Sequence, residues 1–143
     1  MILYLDTSAL VKLFVEEAQS APVRKAVSAS RLVTTHTIAY VEACAAFARV
    51  AHNRGDDTLF AALRRDLDFQ WEGWEILNVT EPLLRRAADL AGRYRLRGYD
   101  SVHLAAVESA FEVFRGRAAF HFAVFDSQLR DAANKAGIPL LQA

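Results

Sequence analysis

Two aspartates in this sequence each follow a short apolar run and precede a hydroxyl residue. The run 2–5 leads to Asp6 and the run 122–125 leads to Asp126, and a pattern with helical spacing follows each of them. If both runs are strands of a parallel sheet, the two carboxylates emerge at the edge where the sites of such sheets form. Each aspartate alone could equally be a helix N-cap worth about 1 kcal/mol, so convergence is what would distinguish a site.

Two further acids lie where helices are predicted. Glu42 is the only charged residue between positions 37 and 48. A carboxylate is rarely buried on such an apolar helix unless it is paired or binds a metal. A solvent-facing Glu42, or one paired with Arg49, is the simpler alternative. Asp100 precedes an apolar helical pattern and could again be a cap, so the four acids together indicate more than each does alone.

Four carboxylates that converge need a partner of opposite charge. Two carboxylates about 4 Å apart repel each other by about 4 kcal/mol at an effective dielectric constant of about 20. A divalent cation offsets this repulsion, and oxygen ligands from Asp and Glu favour Mg²⁺ or Mn²⁺ over Zn²⁺. Carboxylate-bound Mg²⁺ can activate water and stabilise charge on phosphoryl oxygens, which predicts hydrolysis of a nucleic-acid strand.

The histidines and the single cysteine do not predict another kind of metal site. The four histidines lack an HxxxH or HxH spacing, and Cys44 is expected to be a small core residue. His103 lies one helical turn after Asp100. We expect it to be an ordinary histidine on a helix face rather than a member of the site.

The elements that would position these residues alternate between strands and helices. Predicted strands occupy 2–5, 32–35, 75–79, 120–125 and 138–141, and predicted helices occupy 9–15, 21–29, 37–53, 56–71, 80–94, 100–114 and 127–136. This order implies an α/β fold in which a parallel sheet of about five strands has helices on both faces. We see no linker or repeat, so a single domain is predicted over 1–143.

Composition narrows the class of protein. The 143 residues are 53% hydrophobic and contain one cysteine, which argues against a disordered chain and against a disulfide-stapled secreted domain. No signal peptide is predicted, and the longest charge-free apolar stretches are too short for a membrane span, so we expect a soluble, cytoplasmic protein. Seventeen basic and seventeen acidic residues give a net charge of zero, which taken alone argues against a nucleic-acid partner.

Four segments carry a family resemblance that extends over nearly the whole chain. They are ILYLDTSALVK at 2–12, YVEA at 40–43, LRGYDSVHLAA at 96–106, and FDSQL at 125–129 followed by Ala132, Ala133 and Gly137. In this order and spacing they resemble the PIN-domain ribonucleases, and among them the VapC-type toxins of bacterial and archaeal toxin–antitoxin pairs.

The resemblance implies a five-stranded parallel sheet and an endoribonuclease site that depends on Mg²⁺ or Mn²⁺. It assigns Asp6, Glu42, Asp100 and Asp126 to an acidic quartet, with Asp6 and Asp100 as the expected direct metal ligands. Glu42 and Asp126 would hold metal-bound water or a second ion. The resemblance also implies an RNA substrate, a small antitoxin that blocks the site, and frequent homodimers.

Hydroxyl and arginine side chains are the remaining candidates. The hydroxyl groups of Thr7, Ser8 and Ser127 could orient a metal-bound water, although helix capping is the role we expect for them. Five arginines but one acid lie between positions 85 and 97. Those nearest to Asp100 are candidates for contacts with RNA phosphates, unless they form a solvated helix face: Arg93, Arg95 and Arg97.

Other functions are possible for a parallel sheet with acidic residues at its strand ends. A signalling receiver domain needs a lysine after a late strand, but no lysine occurs between Lys25 and Lys135. A haloacid-dehalogenase-like phosphatase needs Asp-x-Asp after the first strand, where this chain has Asp6-Thr7-Ser8. A non-catalytic RNA- or protein-binding scaffold would be favoured if the four carboxylates did not converge.

Overall fold

The computed structural model describes residues 1–142, which form a parallel sheet with helices on both faces. The strands are β1 (Ile2–Leu5), β2 (Leu32–His36), β3 (Glu75–Leu77) and β4 (Phe120–Ala123). The helices are α1 (Thr7–Phe14), α2 (Ser20–Ala29), α3 (Ile38–Arg54), α4 (Leu59–Trp71), α5 (Glu81–Tyr94), α6 (Gly98–Phe114) and α7 (Ser127–Lys135). The predicted α/β class is confirmed.

The main difference between the predicted and the observed fold concerns residues 138–141, which were predicted to form a strand. This segment makes one isolated parallel bridge, between Phe122 and Leu140, so the sheet has four strands among the described residues rather than about five. Phe122 N donates to Pro139 O, and Leu141 N donates to Phe122 O. Pro139 has no N–H to donate, which keeps the ladder from extending.

Strand β1 lies between β2 and β4, and its side chains alternate between two hydrophobic cores. Ile2 and Tyr4 pack with α5, α6 and α7, whereas Leu3 and Leu5 pack with α1 to α4. All four residues of β1 are buried, which explains why the strand is apolar throughout.

The strand order β3-β2-β1-β4 places a topological switch point at the carboxyl ends of β1 and β4. The chain proceeds from β1 outward through β2 to β3, and then returns across the other face to add β4 beside β1. Ligand sites of open parallel sheets lie in the crevice where the winding reverses. Asp6 follows β1 and Asp126 lies three residues after β4 ends, so both aspartates are at this crevice.

Within residues 1–142, no helix combines the length and the apolar character that crossing a membrane requires.

Candidate active site

Asp6 is buried at the junction between β1 and α1. Its side chain caps α1: the Ala9 N–H donates to Oδ1 at 2.9 Å, and the Ser8 hydroxyl donates to the same oxygen at 2.7 Å. The other oxygen, Oδ2, accepts no hydrogen bond within residues 1–142. Burial raises the pKa of Asp6 to about 6, with a smaller contribution from the charge of Asp100, while His103 and the two donors to Oδ1 act against the shift. Asp6 is therefore both a cap and a buried acid that would be stabilised by a cation.

Ser8 connects this junction to the one after β4. Its Oγ accepts a hydrogen bond of 3.1 Å from the Phe125 N–H while its own proton goes to Asp6. The next residue, Asp126, caps α7, because its Oδ1 accepts from the Leu129 N–H at 3.0 Å. The two junctions that the sequence predicts to be neighbours are thus joined by one hydroxyl group.

Asp100 faces Asp126 across the guanidinium of Arg97. Arg97 Nε donates to Asp100 Oδ2 at 3.3 Å, and Arg97 Nη2 donates to Asp126 Oδ2 at 3.1 Å. Helix α6 begins at Gly98, so Asp100 lies in its first turn and is not the cap residue. Burial raises the pKa of Asp100, the charge of Asp126 raises it further, and Arg97 acts against both. Arg97 provides positive charge where two carboxylates would otherwise repel each other.

Glu42 joins the group through Thr7, the residue after Asp6. The Thr7 hydroxyl donates to Glu42 Oε1 at 2.9 Å, and His103 Nε2 lies 3.2 Å from the same oxygen. Glu42 Oε2 accepts no hydrogen bond from the described residues. The side chain of Glu42 is 20% exposed, so it lies at the edge of the crevice rather than in bulk solvent.

The expectation that His103 is an ordinary helix-face histidine was wrong. Its side chain is 3% exposed, and it contacts Tyr4, Thr7 and Glu42. The spacing of His103 from Asp100 could have indicated its role. Positions 100 and 103 lie on one face of a helix, so a residue three positions after a site acid points toward the same site. The partners of His103 are 61 to 99 residues away along the chain, which is why no local pattern indicated them.

The remaining candidates lie around this centre. Ser127 is exposed, and its hydroxyl makes no hydrogen bond within residues 1–142. Arg93 and Arg95 line a cleft of about 450 Å³ between α5 and α7, together with Tyr94, Gln128, Asp131 and Lys135. Arg97, the third residue predicted to contact RNA phosphates, forms ion pairs with Asp100 and Asp126. Its side chain is nevertheless 73% exposed and can be reached from solvent.

The donor set fits a hard divalent cation. Asp6, Glu42 and Asp100 each keep one carboxylate oxygen without a hydrogen-bond donor, while the other oxygen of each is held by the protein. In the described part of the chain, no three of the four acids bring ligand oxygens within 4.8 Å of one another. A Mg²⁺ site does not require three such ligands, because Mg²⁺ is usually bound by one or two carboxylates and keeps several waters.

A comparison with protein-family models gives a match to the PIN domain over residues 3–135. This chain belongs to the PIN-domain family. Its relatives include the ribonucleases VapC45 and VapC49 of two Mycobacterium tuberculosis strains. Each is 32% identical to this PIN domain over 137 residues, which cover 95% of this chain and 92% of the relative.

Solved structures show the same PIN fold. VapC20 of M. tuberculosis, described as a toxin that cleaves the sarcin–ricin loop, superposes with a TM-score of 0.67 at 16% identity over 99% of both chains. A chain of a toxin–antitoxin complex from Klebsiella pneumoniae gives a TM-score of 0.56 at 16% identity, over 82% of this chain and 94% of the other.

Proposed function

We propose that this protein is a metal-dependent endoribonuclease that acts as the toxin of a toxin–antitoxin pair. The observation that carries the proposal is the set of hydrogen bonds that links the four acids at the switch point of the sheet. Ser8 joins the junction of Asp6 to the one before Asp126, Arg97 contacts both Asp100 and Asp126, and Thr7, the residue after Asp6, donates to Glu42. The names of the curated relatives support the choice of RNA as substrate. A non-catalytic scaffold is less well supported, because carboxylates brought to one edge of a sheet repel each other unless a cation is bound between them.

Asp6 and Asp100 are the proposed direct ligands of Mg²⁺ or Mn²⁺, through the carboxylate oxygens that the protein leaves free. Glu42 and Asp126 would hold water or a second ion. A bound cation of this kind supplies activated water and stabilises charge on the phosphoryl oxygens. The Ser8 and Ala9 donors fix the orientation of Asp6, and Thr7 fixes that of Glu42. Arg97 would contact an RNA phosphate once its guanidinium leaves the two acids.

The proposed partner proteins are inferred from the family and from exposed apolar side chains on the surface. The antitoxin would cover the crevice, and two exposed apolar side chains on α3 and α4 would suit a partner protein or a second copy of this chain: Val41 and Phe69. We further propose that the protein is a homodimer and that it acts in the cytoplasm.

The activity is tested with a labelled single-stranded RNA of mixed sequence and a DNA strand of the same sequence. We expect cleavage of the RNA with Mg²⁺ or Mn²⁺, and none with chelator. Asp6→Asn and Asp100→Asn should each reduce the rate more than about 100-fold, because loss of a metal ligand removes several kcal/mol of transition-state stabilisation. Circular dichroism checks that both variants fold.

Asp57→Asn is the matched control, since Asp57 is exposed in the turn between α3 and α4. It should cleave as the wild type does. Cleavage that survives chelation and both site substitutions would exclude the metal mechanism. In cells, induction should arrest growth, and coexpression of the neighbouring open reading frame should relieve the arrest if that frame encodes the antitoxin.

A further inference from the structure

A line of buried and partly buried hydrogen bonds runs from the first strand to the edge of the crevice. Tyr4 Oη lies 3.2 Å from His103 Nδ1, and His103 Nε2 lies 3.1 Å from Thr7 Oγ1 and 3.2 Å from Glu42 Oε1. Tyr4 and His103 are buried, so these groups exchange no hydrogen bonds with bulk solvent. The line therefore connects the core of the sheet directly to one of the four site acids.

The direction of each hydrogen bond follows from the groups present. An ionised Glu42 can only accept, and the Thr7 hydroxyl already donates to it. His103 Nε2 must then carry the proton that it shares between Glu42 Oε1 and Thr7 Oγ1. If the ring carries a single proton, Nδ1 keeps its lone pair and can accept from the Tyr4 O–H. A Tyr4 O–H that donates to Nδ1 favours the tautomer in which His103 is a donor to Glu42.

The same side chains admit a competing interpretation as a second metal site. One ligand atom from each of three residues lies within 4.8 Å of the other two: His36, Glu42 and His103. Two imidazoles and a carboxylate are a ligand set of Zn²⁺. His36, however, accepts a hydrogen bond of 3.1 Å from the Ile38 N–H at Nδ1, so a neutral His36 carries its proton on Nε2.

A protonated Nε2 has no lone pair for a metal, and that atom has no hydrogen-bond partner within residues 1–142. Burial, followed by the neighbouring His103, lowers the pKa of His36 to about 3, so the ring stays neutral. The His36 and His103 rings lie with their centroids 4.1 Å apart and tilted by 46°. His36 thus packs against His103 and holds the plane of its ring rather than binding an ion.

We propose that His103 is a positioning residue for the metal centre, and that Tyr4 and His36 hold it in its donor tautomer and orientation. This proposal rests on the proposed function. Its consequence is a fixed Glu42: Oε1 is held from two directions, by Thr7 and by His103, and Oε2 is left for the cation or its water. Without His103, Glu42 keeps one donor and can rotate about its remaining contact.

The test measures Mn²⁺ affinity by calorimetry on the purified full chain, a readout that needs no RNA target. His103→Phe keeps an aromatic ring but removes the donor, and we expect the dissociation constant for Mn²⁺ to rise 10- to 100-fold, the usual effect of losing a partner of a metal ligand. His103→Gln, whose amide can donate from nearly the same place, should recover most of the affinity. Tyr4→Phe, which removes one hydroxyl, should weaken binding by less than His103→Phe does.

Tautomers are read from ¹⁵N NMR of the histidine rings. The wild type should show His103 protonated at Nε2 alone, and Tyr4→Phe should show a mixture of tautomers. His52→Phe is the matched control, because His52 is exposed on α3. It should bind Mn²⁺ as the wild type does. Thermal melting of every variant separates loss of metal affinity from loss of fold.

The possible results distinguish failure of the proposed metal centre from failure of the positioning role of His103. A wild type that fails to bind Mn²⁺ overturns the proposed metal centre itself. If the wild type binds and a folded His103→Phe binds equally well, the positioning role is wrong while the metal centre stands. A His103→Gln variant as weak as His103→Phe would overturn the donor argument. Tight Zn²⁺ binding that His36→Phe abolishes would support the three-ligand site instead.

Discussion

Asp6 combines deep burial with a charge that the fold does little to neutralise. It is 3% exposed, and its pKa of about 6 lies above the ordinary value of 3.8 because burial disfavours the charged form. Relative to the unfolded chain, the folded protein therefore stabilises the neutral form of Asp6 when no cation is bound. At neutral pH the ionised form of Asp6 still predominates, so the buried charge destabilises the folded protein.

The pH dependence of stability follows in sign. A raised pKa of Asp6 in the folded state contributes stability that is fully present below pH 4 and is lost as the pH rises through about 6. Asp6→Asn keeps the acceptor oxygen and removes the charge. In chelator at pH 7.5, the variant should be more stable than the wild type by up to about 3 kcal/mol, since one pKa unit corresponds to about 1.4 kcal/mol.

Urea unfolding at pH 7.5 and at pH 4 measures this difference. Most of the advantage of Asp6→Asn should be lost at pH 4, where the wild-type acid is neutral in the folded state and only about half ionised in the unfolded state. Saturating Mn²⁺ at pH 7.5 should reverse the order, because the ion stabilises the wild type only. An advantage of equal size at both pH values would contradict an origin in the charge of Asp6.

The junctions between strands and helices hold these residues in place, and Ser8 links two of them. Ser8→Ala removes the donor to Asp6 and leaves the Phe125 N–H without its acceptor. We expect a loss of about 1–2 kcal/mol in the free energy of unfolding, the usual effect of losing such hydrogen bonds. The loss should be measured by urea unfolding, with cleavage activity as a second readout.

Ser127→Ala is the natural control for this change. Ser127 follows the other capping aspartate, but its exposed hydroxyl makes no hydrogen bond within the described residues. The control should change stability by less than about 0.5 kcal/mol. Equal losses in the two variants would show that the two hydrogen bonds of Ser8 contribute nothing measurable to stability.

Elements that depend on local patterns were predictable, and contacts that depend on the tertiary fold were not. The apolar run 2–5 and the turn after it indicated both β1 and the cap at Asp6. The strand over 138–141 was wrong because the apolar pattern was given more weight than Pro139, whose missing N–H leaves this segment with one isolated bridge. The contacts of Arg97 with two acids and of His103 with Glu42 join different elements, and only the folded chain brings them together.

For the molecule as a whole, a net charge of zero conceals an uneven distribution. Setting the four site acids aside leaves 17 basic against 13 acidic residues. Several arginines are balanced locally: Arg85 pairs with Glu81, and Arg86 pairs with Glu108. Arg93 and Arg95 make no ion pair in the described part of the chain, and they line the cleft between α5 and α7. These two are therefore the arginines on which the predicted contact with an RNA backbone can be tested.

RNA binding should for this reason depend on salt through these two arginines. Fluorescence anisotropy on the Asp100→Asn background, with a labelled RNA strand and chelator, measures affinity without cleavage. Each phosphate contact to a single strand contributes about 0.7 to the slope of log affinity against log salt. Arg93→Gln and Arg95→Gln should each reduce the slope by about that amount, whereas Arg85→Gln should leave it unchanged. Equal slopes in all three variants would place the RNA path elsewhere on the surface.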